Sequence, residues 1–332
     1  MIDFNYPNYL KECIKNQINL FDKKNKIYKF LLVGAKGFIG KNLLNYFFPL
    51  LRKSNILFDL YLLSRESYYK CTLKDNKYNF ELITGIPERI THLIHLAVPS
   101  TPEILENLNN QELSSYFKTQ KKIDQICKEN KPYMIYFSSG AIFGRDLFIQ
   151  KPSDYKENCI EKNFKFDPYT ALKRADETHY YLKSKSSTYQ LAIINLYSVL
   201  LPNQLDRSHF AISQFIKLAI DKKPLIVKSP HTLRSYIGIN EIIFTILSSF
   251  NCEKQFCRYS LGSPVPISMI ELAHCIADYY GNSKVIVPDE DYSLNYSGYY
   301  PKAIEINSSL LSISKISPIE YIHYLLKEVK IN

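Results

Sequence analysis

Two side chains in the segment FDPYTALKRADE, Tyr169 and Lys173, have types and a spacing that suit acid–base chemistry. Residues four apart share one face of a helix, so this spacing places the phenol beside the ammonium. A free phenol has a pKa of about 10 and is a poor base at neutral pH, but a neighbouring cation favours its ionised form. Such a pair could take or give the proton that accompanies hydride transfer at a sugar hydroxyl or ketone, and the lysine could also hold a cofactor ribose.

A serine at the end of the apolar segment YMIYFSS gives this pair a partner. Ser138 and Ser139 end a predicted strand that precedes the predicted helix of Tyr169. Ligands of doubly wound sheets bind at the carboxyl ends of the strands. We therefore expect the Ser139 hydroxyl to hydrogen-bond the reacting oxygen and to orient it toward Tyr169.

Three glycines in FLLVGAKGFIGKNLL are spaced for a turn that binds a dinucleotide. Gly34 permits a tight turn, Gly37 lets the backbone approach a pyrophosphate, and Gly40 lets the following helix pack on the strand. The turn stands between a predicted buried strand and a predicted helix, whose N-terminus offers free N–H groups and a positive dipole end. We therefore predict cofactor contacts at the three glycines and at Phe38 and Ile39.

The end of the second predicted strand, in YLLSRES, bears on the choice of dinucleotide. An acidic residue at this place accepts a hydrogen bond from the 2′-hydroxyl of NAD, whereas an arginine accommodates the 2′-phosphate of NADP. Ser64 and Arg65 stand there, so the sequence favours NADP(H), with both side chains on the phosphate. The alternative is a surface arginine without this role, and NAD as the cofactor.

Apolar strands alternate with helical segments through about the first 200 residues. This alternation predicts an α/β fold with a doubly wound parallel sheet, because parallel strands need crossover helices on both faces. Beyond that point, helices alternate with short strands. We expect a helical extension (1–27), a Rossmann dinucleotide-binding domain (28–200) and a smaller C-terminal α/β substrate-binding lobe (201–332) over the carboxyl edge of the sheet.

Composition and charge argue against several classes of protein. The chain of 332 residues is 46% hydrophobic, enough for a packed core, yet it has no apolar run long enough to span a membrane. Its net charge of +10 is spread along the chain, unlike the basic patch of a nucleic-acid-binding protein, and suits an acidic small substrate such as a nucleotide. The seven cysteines form no zinc-ligand pattern and the N-terminus lacks a signal peptide, so we expect a cytoplasmic protein without a metal site.

Taken together, the motifs resemble those of the extended short-chain dehydrogenase/reductases, and among these the NAD-dependent epimerase/dehydratase family, which modifies nucleotide sugars. The resemblance extends from about residue 28 to residue 325. It rests on the segments VGAKGFIGKNL, HLIHLAVPS, YFSSGAIFG, YTALK, TLRSYIGINEI and YSLGSPVPISMIELAHCIA.

The resemblance implies roles for the matching catalytic and cofactor residues. Tyr169 would transfer the proton, and Lys173 would lower the pKa of that tyrosine and hold the nicotinamide ribose. Ser139 would be the hydroxyl partner of the reacting oxygen. Leu96 and Ala97 would line the cofactor.

On the substrate side, the resemblance implies that Arg234 contacts the diphosphate of a nucleotide sugar. Ser198 stands where the family has an asparagine that often touches this diphosphate, and we expect it to contact the substrate. Asn195 replaces an arginine and Leu201 replaces a glycine, so the substrate site departs from the common pattern. The helix of the acid–base pair and the helix near residues 105–128 usually build a dimer interface in the family, which implies a homodimer.

The residues after Ser139 bear on the type of reaction. Dehydratases and decarboxylases of the family have an acidic residue one or two positions after this serine, and its carboxylate serves elimination or the 4-keto intermediate. Here Gly140, Ala141 and Ile142 follow the serine. A reaction that only moves a hydride and a proton at one carbon does not need that carboxylate, so the segment favours an epimerase or a 4-keto reductase.

We therefore predict an NAD(P)-dependent nucleotide-sugar epimerase or 4-keto reductase in surface-polysaccharide sugar synthesis. The first alternative is a nucleotide-sugar 4,6-dehydratase or decarboxylase, which resemblance to a subgroup favours and Ala141 opposes. An alternative of another class is a dinucleotide-binding sensor without turnover, which the intact Ser139, Tyr169 and Lys173 oppose. The sugar and the nucleotide base depend on contacts in the C-terminal lobe, where the departures concentrate.

Overall fold

The computed structural model describes residues 6–21, 26–64, 67–74, 77–98, 110–143, 168–207, 210–281, 283–288, 298–301, 313 and 315–330. Eight strands of this part of the chain form one large sheet: β1 (Tyr28–Val33), β2 (Phe58–Ser64), β3 (Ser67–Lys74), β4 (Lys77–Ile83), β5 (His92–His95), β6 (Tyr133–Ser139), β7 (Leu191–Leu196) and β12 (Phe256–Leu261). Their order across the sheet is β12–β7–β6–β5–β1–β2–β3–β4, and all neighbours from β12 to β2 are parallel.

The helices of the described residues are α1 (Tyr6–Asn19), α2 (Phe38–Asn42, continued by a π-helical turn at Leu43–Phe47 and by Phe48–Lys53), α3 (Asn110–Asn130), α4 (Pro168–Ser187), α5 (Ala211–Ile220), α6 (Ile239–Phe250), α7 (Met269–Tyr280) and α8 (Pro318–Leu326). Short strands are β8 (Ser198–Val199), β9 (Leu225–Ile226), β10 (Leu233–Arg234), β11 (Tyr236–Ile237), β13 (Ile267–Ser268), β14 (Val285–Ile286) and β15 (Gly298–Tyr299). None of these helices has the length and apolar character needed to cross a bilayer.

Helices cover both faces of the large sheet, which confirms the predicted doubly wound α/β fold. Along β1, Phe30 and Leu32 belong to one buried cluster, whereas Leu31 and Val33 belong to another. Residues of α1, α2 and α6 complete the first cluster, and residues of α3 and α4 complete the second. A strand with both faces buried explains the uninterrupted apolar run of its sequence.

The far edge of the sheet differs from the parallel strand order predicted. β3 was not predicted, and it pairs antiparallel with both β2 and β4. Two residues, Asp75 and Asn76, separate β3 from β4, and both types favour tight turns. A hairpin needs no crossover helix, so the strand–helix alternation used for the prediction could not reveal it.

The N-terminal helix α1 packs on the main body of the protein, as the apolar spacing of its sequence predicts. Leu10, Ile14 and Ile18 recur every four residues and are all buried in the first cluster. The amide of Asn251, directly after α6, donates to the carbonyl of Gln17 at 2.9 Å. The helix therefore shares the core of the large sheet.

The large sheet also extends beyond residue 200, where the sequence predicts a domain boundary. Strand β12 pairs in parallel with β7, after the crossover helix α6. The C-terminal part thus supplies an edge strand to the sheet in addition to the small sheets β13–β10–β15, β11–β8 and β14–β9. A parallel edge strand needs only one more crossover helix, which α6 provides.

Candidate active site

A cavity of about 1370 Å³ lies at the carboxyl ends of β1, β5, β6 and β7. The segments that follow these strands line one side of it, together with the first turns of α2 and α4. Short C-terminal segments, among them β10 and β15, line the other side. The carboxyl edge is where doubly wound sheets bind their ligands.

The glycine-rich turn between β1 and α2 forms one wall of this cavity. Gly34 has a φ of +93°, and a Cβ on it would lie 2.9 Å from the backbone nitrogen of Ala97. A Cβ on Gly40 would lie 2.7 Å from the Cα of Ala35, so only glycine lets the helix pack this close to the turn. Gly37 precedes the first residue of α2 and has extended backbone geometry. These features fit a dinucleotide pyrophosphate held at the N-terminus of the helix.

Lys173 is buried beside Tyr169 and has a neutral hydrogen-bond acceptor. Its Nζ donates to the carbonyl of Phe137 at 2.5 Å and lies 5.9 Å from the centre of the Tyr169 ring. Burial lowers the pKa of Lys173 to about 8, while the nearby carboxylates of Asp176 and Glu177 act in the opposite direction. At neutral pH the lysine therefore carries a positive charge next to the phenol, as the proton-transfer prediction requires.

The serine predicted to bind the reacting oxygen, Ser139, is held by two contacts. The backbone N–H of Ala141 donates to its Oγ at 3.2 Å, and the Oγ lies 3.1 Å from the hydroxyl of Tyr299. Because the Tyr299 hydroxyl donates to the carbonyl of Leu196 at 3.3 Å, the Ser139 hydroxyl donates its hydrogen to Tyr299. Ser139 lines the cavity, so its hydroxyl is within reach of a ligand there.

An ion pair between the buried Glu177 and the partly exposed Arg258, together with Asn195, ties the helix of Tyr169 and Lys173 to two strands. The carboxylate of Glu177, one turn after Lys173, accepts from the Asn195 amide at 2.6 Å and from the Arg258 guanidinium at 2.8 Å. Asn195 stands where the family has an arginine, and Arg258 reaches the same carboxylate from the neighbouring strand β12. Arg258 therefore gives this buried carboxylate a cationic partner from β12.

The cavity is rich in cations. Arg207, Lys228 and Arg234 line it, in addition to Lys173, and no aspartate or glutamate lines it among the described residues. The guanidinium of Arg207 lies 5.3 Å from the centre of the Phe38 ring, beside the glycine turn. That of Arg234 lies 5.8 Å from the centre of the Tyr299 ring. Such a lining favours an anionic ligand.

Most of the residues predicted from the sequence line this one cavity. They are Gly34, Gly37, Phe38, Ile39, Gly40, Leu96, Ala97, Ser139, Tyr169, Lys173, Ser198 and Arg234. Ser64 does not line it; it ends β2 and is paired with Ser67 of the hairpin. Arg65 lies outside the described residues.

Among the cavity residues that sequence reasoning missed are two basic residues, Arg207 and Lys228, and one tyrosine, Tyr299. Arg207 and Lys228 lie outside the segments that carry the family resemblance, and the chain contains many other basic residues. Tyr299 is one of four tyrosines within the segment YSLNYSGYY, which gives none of them a distinctive spacing. No local signal could have shown which of them reaches Ser139.

The described residues contain no cluster of histidine, cysteine, aspartate and glutamate side chains that could hold a metal ion. His92 and His95 both lie on β5. The ring of His92 packs 4.4 Å from that of Phe250, and the ring of His95 packs 5.3 Å from that of Tyr136. Both histidines are therefore core residues.

Comparisons with known proteins agree with this geometry. The family model "NAD dependent epimerase/dehydratase family" matches residues 30–248. A dTDP-D-glucose 4,6-dehydratase of Dictyostelium discoideum is 25% identical over 278 residues, which are 74% of this chain and 61% of the relative. The chain thus spans about three fifths of the length of that relative.

Two solved structures share the fold. A UDP-N-acetylglucosamine 4-epimerase from Methanobrevibacter ruminantium M1, in complex with UDP-N-acetylmuramic acid, is 19% identical with a TM-score of 0.65. The alignment covers 92% of this chain and 97% of that one. RMD from Pseudomonas aeruginosa, complexed with NADPH, is 15% identical with a TM-score of 0.62, over 91% of this chain and 97% of that one. With the family model matching most of the chain and with this fold, the protein belongs to the NAD-dependent epimerase/dehydratase family.

Proposed function

We propose that this protein is an NAD(P)-dependent nucleotide-sugar epimerase or 4-keto reductase in surface-polysaccharide sugar synthesis. The observation that carries the proposal is the segment after Ser139. A Cβ on Gly140 would lie 2.5 Å from the Tyr197 ring, so the first position after the serine has no room for an acidic side chain. The second position is the buried Ala141. A site with Ser139, Tyr169 and Lys173 but without that carboxylate suits hydride and proton transfer at a single carbon.

In this mechanism each residue of the site has one task. A bound nicotinamide would supply or accept the hydride. The Ser139 hydroxyl would turn its hydrogen from Tyr299 to the reacting oxygen and orient that oxygen toward Tyr169. The phenol would then give or take the proton, with Lys173 favouring its ionised form. Arg234, Ser198 and Lys228, which also line the cavity, would hold the substrate diphosphate.

We propose NADP(H) as the cofactor, with NAD as the alternative. Ser64 and Arg65 support NADP(H), because they stand where an acidic residue would bind the NAD ribose. The related RMD was solved with NADPH. A titration of the purified protein with NADPH and NADH tests the choice, and a preference for NADH would contradict it.

Native mass spectrometry of the freshly purified protein separates epimerase from reductase. An epimerase returns the hydride to the same carbon and retains its dinucleotide, so its mass would include NAD⁺. A reductase exchanges its dinucleotide and would be isolated empty. In the second case, 4-keto nucleotide sugars with NADPH are the substrates to assay. If the protein neither epimerises nucleotide sugars nor reduces 4-keto nucleotide sugars, the proposal is wrong.

A dehydratase or decarboxylase is the second candidate, which the Dictyostelium discoideum relative favours. Such an enzyme would release a 4-keto-6-deoxy sugar or CO₂ from a nucleotide sugar. Assays for these products decide between the candidates, and either product would replace the first proposal.

A dinucleotide-binding sensor without turnover is the candidate of another class. Its effects in cells would survive the change Tyr169→Phe, because a phenylalanine still fills the wall of the cavity. An enzyme would lose those effects, since the proposed mechanism assigns the proton transfer to the Tyr169 phenol.

We also propose a cytoplasmic homodimer that pairs through α3 and α4. Phe117 on α3 and Leu182 on α4 support it, because they are 48% and 61% exposed despite their apolar side chains. Light scattering of the wild type and of Leu182→Glu tests this, and a wild-type monomer would contradict it.

A further inference from the structure

A buried carboxylate lies behind the acid–base pair and takes no part in the mechanism above. Asp176 is only 1% exposed. It accepts a hydrogen bond from the Tyr136 hydroxyl at 2.7 Å and further hydrogen bonds from the Tyr116 hydroxyl and the Gln120 amide. Burial raises the pKa of Asp176, whereas the two phenol donors and the Lys173 ammonium lower it, so the contacts of the cluster favour the ionised carboxylate.

The cluster adjoins the catalytic lysine. Asp176 follows Lys173 by three residues, on the same face of α4. The ring of Tyr136, whose hydroxyl donates to Asp176, lies 4.9 Å from the Nζ of Lys173. Tyr116, which also donates to Asp176, lines the cavity and so connects the cluster to it.

Two carboxylates lie near the buried ammonium, but they differ in their partners. Glu177 is paired with the Arg258 guanidinium, which offsets its charge. The hydrogen-bond partners of Asp176 among the described residues are two phenols and an amide, all of them neutral. Asp176 is therefore the carboxylate whose charge acts mainly on Lys173.

The other titratable groups around Lys173 do not replace this charge. They are Tyr169 and Glu177 on α4, Tyr136 on β6, His95 on β5, Tyr116 on α3 and, through Glu177, Arg258 on β12. Burial lowers the pKa of His95 to about 3, so this histidine is neutral. Burial also raises the pKa of Tyr116 and of Tyr136, so both phenols keep their protons and donate.

We propose that Asp176 is a positioning residue for the proton transfer: its carboxylate, held by Tyr116 and Tyr136, keeps Lys173 in the ammonium form beside Tyr169. The inference rests on the proposed function, since that function gives the Tyr169–Lys173 pair its task. Without the carboxylate, burial would favour the neutral amine of Lys173, and the phenolate of Tyr169 would lose its cation. Asp176 is seven residues from Tyr169, or about 10 Å along the helix, so its direct repulsion of the phenolate is the smaller effect.

The test compares the wild type with Asp176→Asn, which keeps the shape of the side chain and removes its charge. Tyrosine labelled with ¹³C at Cζ reports each phenol by NMR, and the resonance absent from Tyr169→Phe belongs to Tyr169. With NADPH or NAD⁺ bound, we expect the pKa of Tyr169 to rise by about one unit or more in Asp176→Asn, a tenfold change in the ionised fraction at neutral pH. The titration needs no sugar substrate, so its outcome is separate from that of the proposed function.

Once a substrate is found, the pH profile gives a second measurement. We expect the limb of the kcat profile that reports the ionisation of Tyr169 to move to higher pH by the same amount in Asp176→Asn. Asp176→Glu keeps the charge and should restore most of the wild-type profile. A rate lowered equally at every pH, with the pKa of Tyr169 unchanged, would show that Asp176 only supports the fold and would overturn the proposal.

A double variant provides a second test in case Asp176→Asn does not fold. Tyr116→Phe together with Tyr136→Phe removes both phenol donors but keeps the rings and the aspartate. The carboxyl group then protonates more readily, and we expect the pKa of Tyr169 to move in the same direction as in Asp176→Asn. An unchanged Tyr169 titration in this folded double variant would also overturn the proposal.

Discussion

The two sides of the cavity are built in different ways. The side that we assign to the dinucleotide consists of the ends of four parallel strands and the first turns of two helices. The side that we assign to the sugar consists of short segments, among them the two-residue strands β10 and β15. Regular elements place side chains at set intervals, so a site at their ends can be located from spacing. Segments held by pairs of short strands carry no such period, and their side chains meet only in the folded protein.

The largest effect should come from the dinucleotide side, in Tyr169→Phe. This change removes the hydroxyl that we propose transfers the proton and keeps the ring, so we expect kcat to fall by about 10²-fold or more. The dinucleotide Kd should stay within about twofold, because Lys173 and the glycine turn remain. Tyr181→Phe, an exposed tyrosine of the same helix, is the control and should leave kcat unchanged. An active Tyr169→Phe enzyme would remove this residue from the mechanism.

The glycine turn should be the next most sensitive part. In Gly34→Ala a side chain is forced into left-handed backbone and against the nitrogen of Ala97, at a cost of about 1–3 kcal/mol. We expect dinucleotide affinity to fall about tenfold or more, as measured by calorimetry. Gly281→Ala is matched in backbone, with a φ of +117° and open space around its Cβ. It should lower stability but leave affinity as in the wild type, and equal affinity losses in both variants would count against the pyrophosphate site.

Loss of the ion pair between α4 and β12 should have a smaller effect, and we expect it in the free energy of unfolding. Arg258→Met leaves the buried carboxylate of Glu177 with Asn195 as its remaining described partner. Because the arginine side chain is 41% exposed, we expect a loss of about 1–2 kcal/mol in the free energy of unfolding, less than for a fully buried pair. Urea denaturation measures it, and Arg258→Lys should recover part of the loss. If Arg258→Met is as stable as the wild type, the Arg258–Glu177 pair does not stabilise the packing of α4 on β12.

The smallest effect should come from the sugar side, in Arg234→Ala. Loss of one cation among several should raise the KM for the nucleotide sugar about tenfold and leave the dinucleotide Kd unchanged, since the guanidinium lies beside Tyr299 rather than beside the glycine turn. Ser64→Ala is the counterpart on the dinucleotide side and should leave this KM unchanged. A shift in dinucleotide affinity with Arg234→Ala would show that the two sides are not separate.

The sequence predicted the fold and one side of the site because both depend on local patterns. The strand–helix alternation gave β1, β2, β5, β6 and β7, and each predicted residue at the end of β1, β5 or β6 lines the cavity. The hairpin of β3 and β4 escaped that reasoning, since an antiparallel pair needs no helix between its strands. The sequence also did not predict that β12 belongs to the large sheet, because no local pattern shows which strand β12 will pair with.

What the sequence alone determined is therefore the family resemblance, the α/β architecture and the convergence of Ser139, Tyr169 and Lys173, all of which follow from short spacings along the chain. Only the tertiary structure decided which residues from distant parts of the sequence contact this site and the helix that carries it. Arg258 reaches Glu177, 81 positions away in the sequence. Tyr299 reaches Ser139, and Tyr116 reaches Asp176. Contacts between remote segments depend on how whole layers pack, and that information is not contained in any single stretch of the chain.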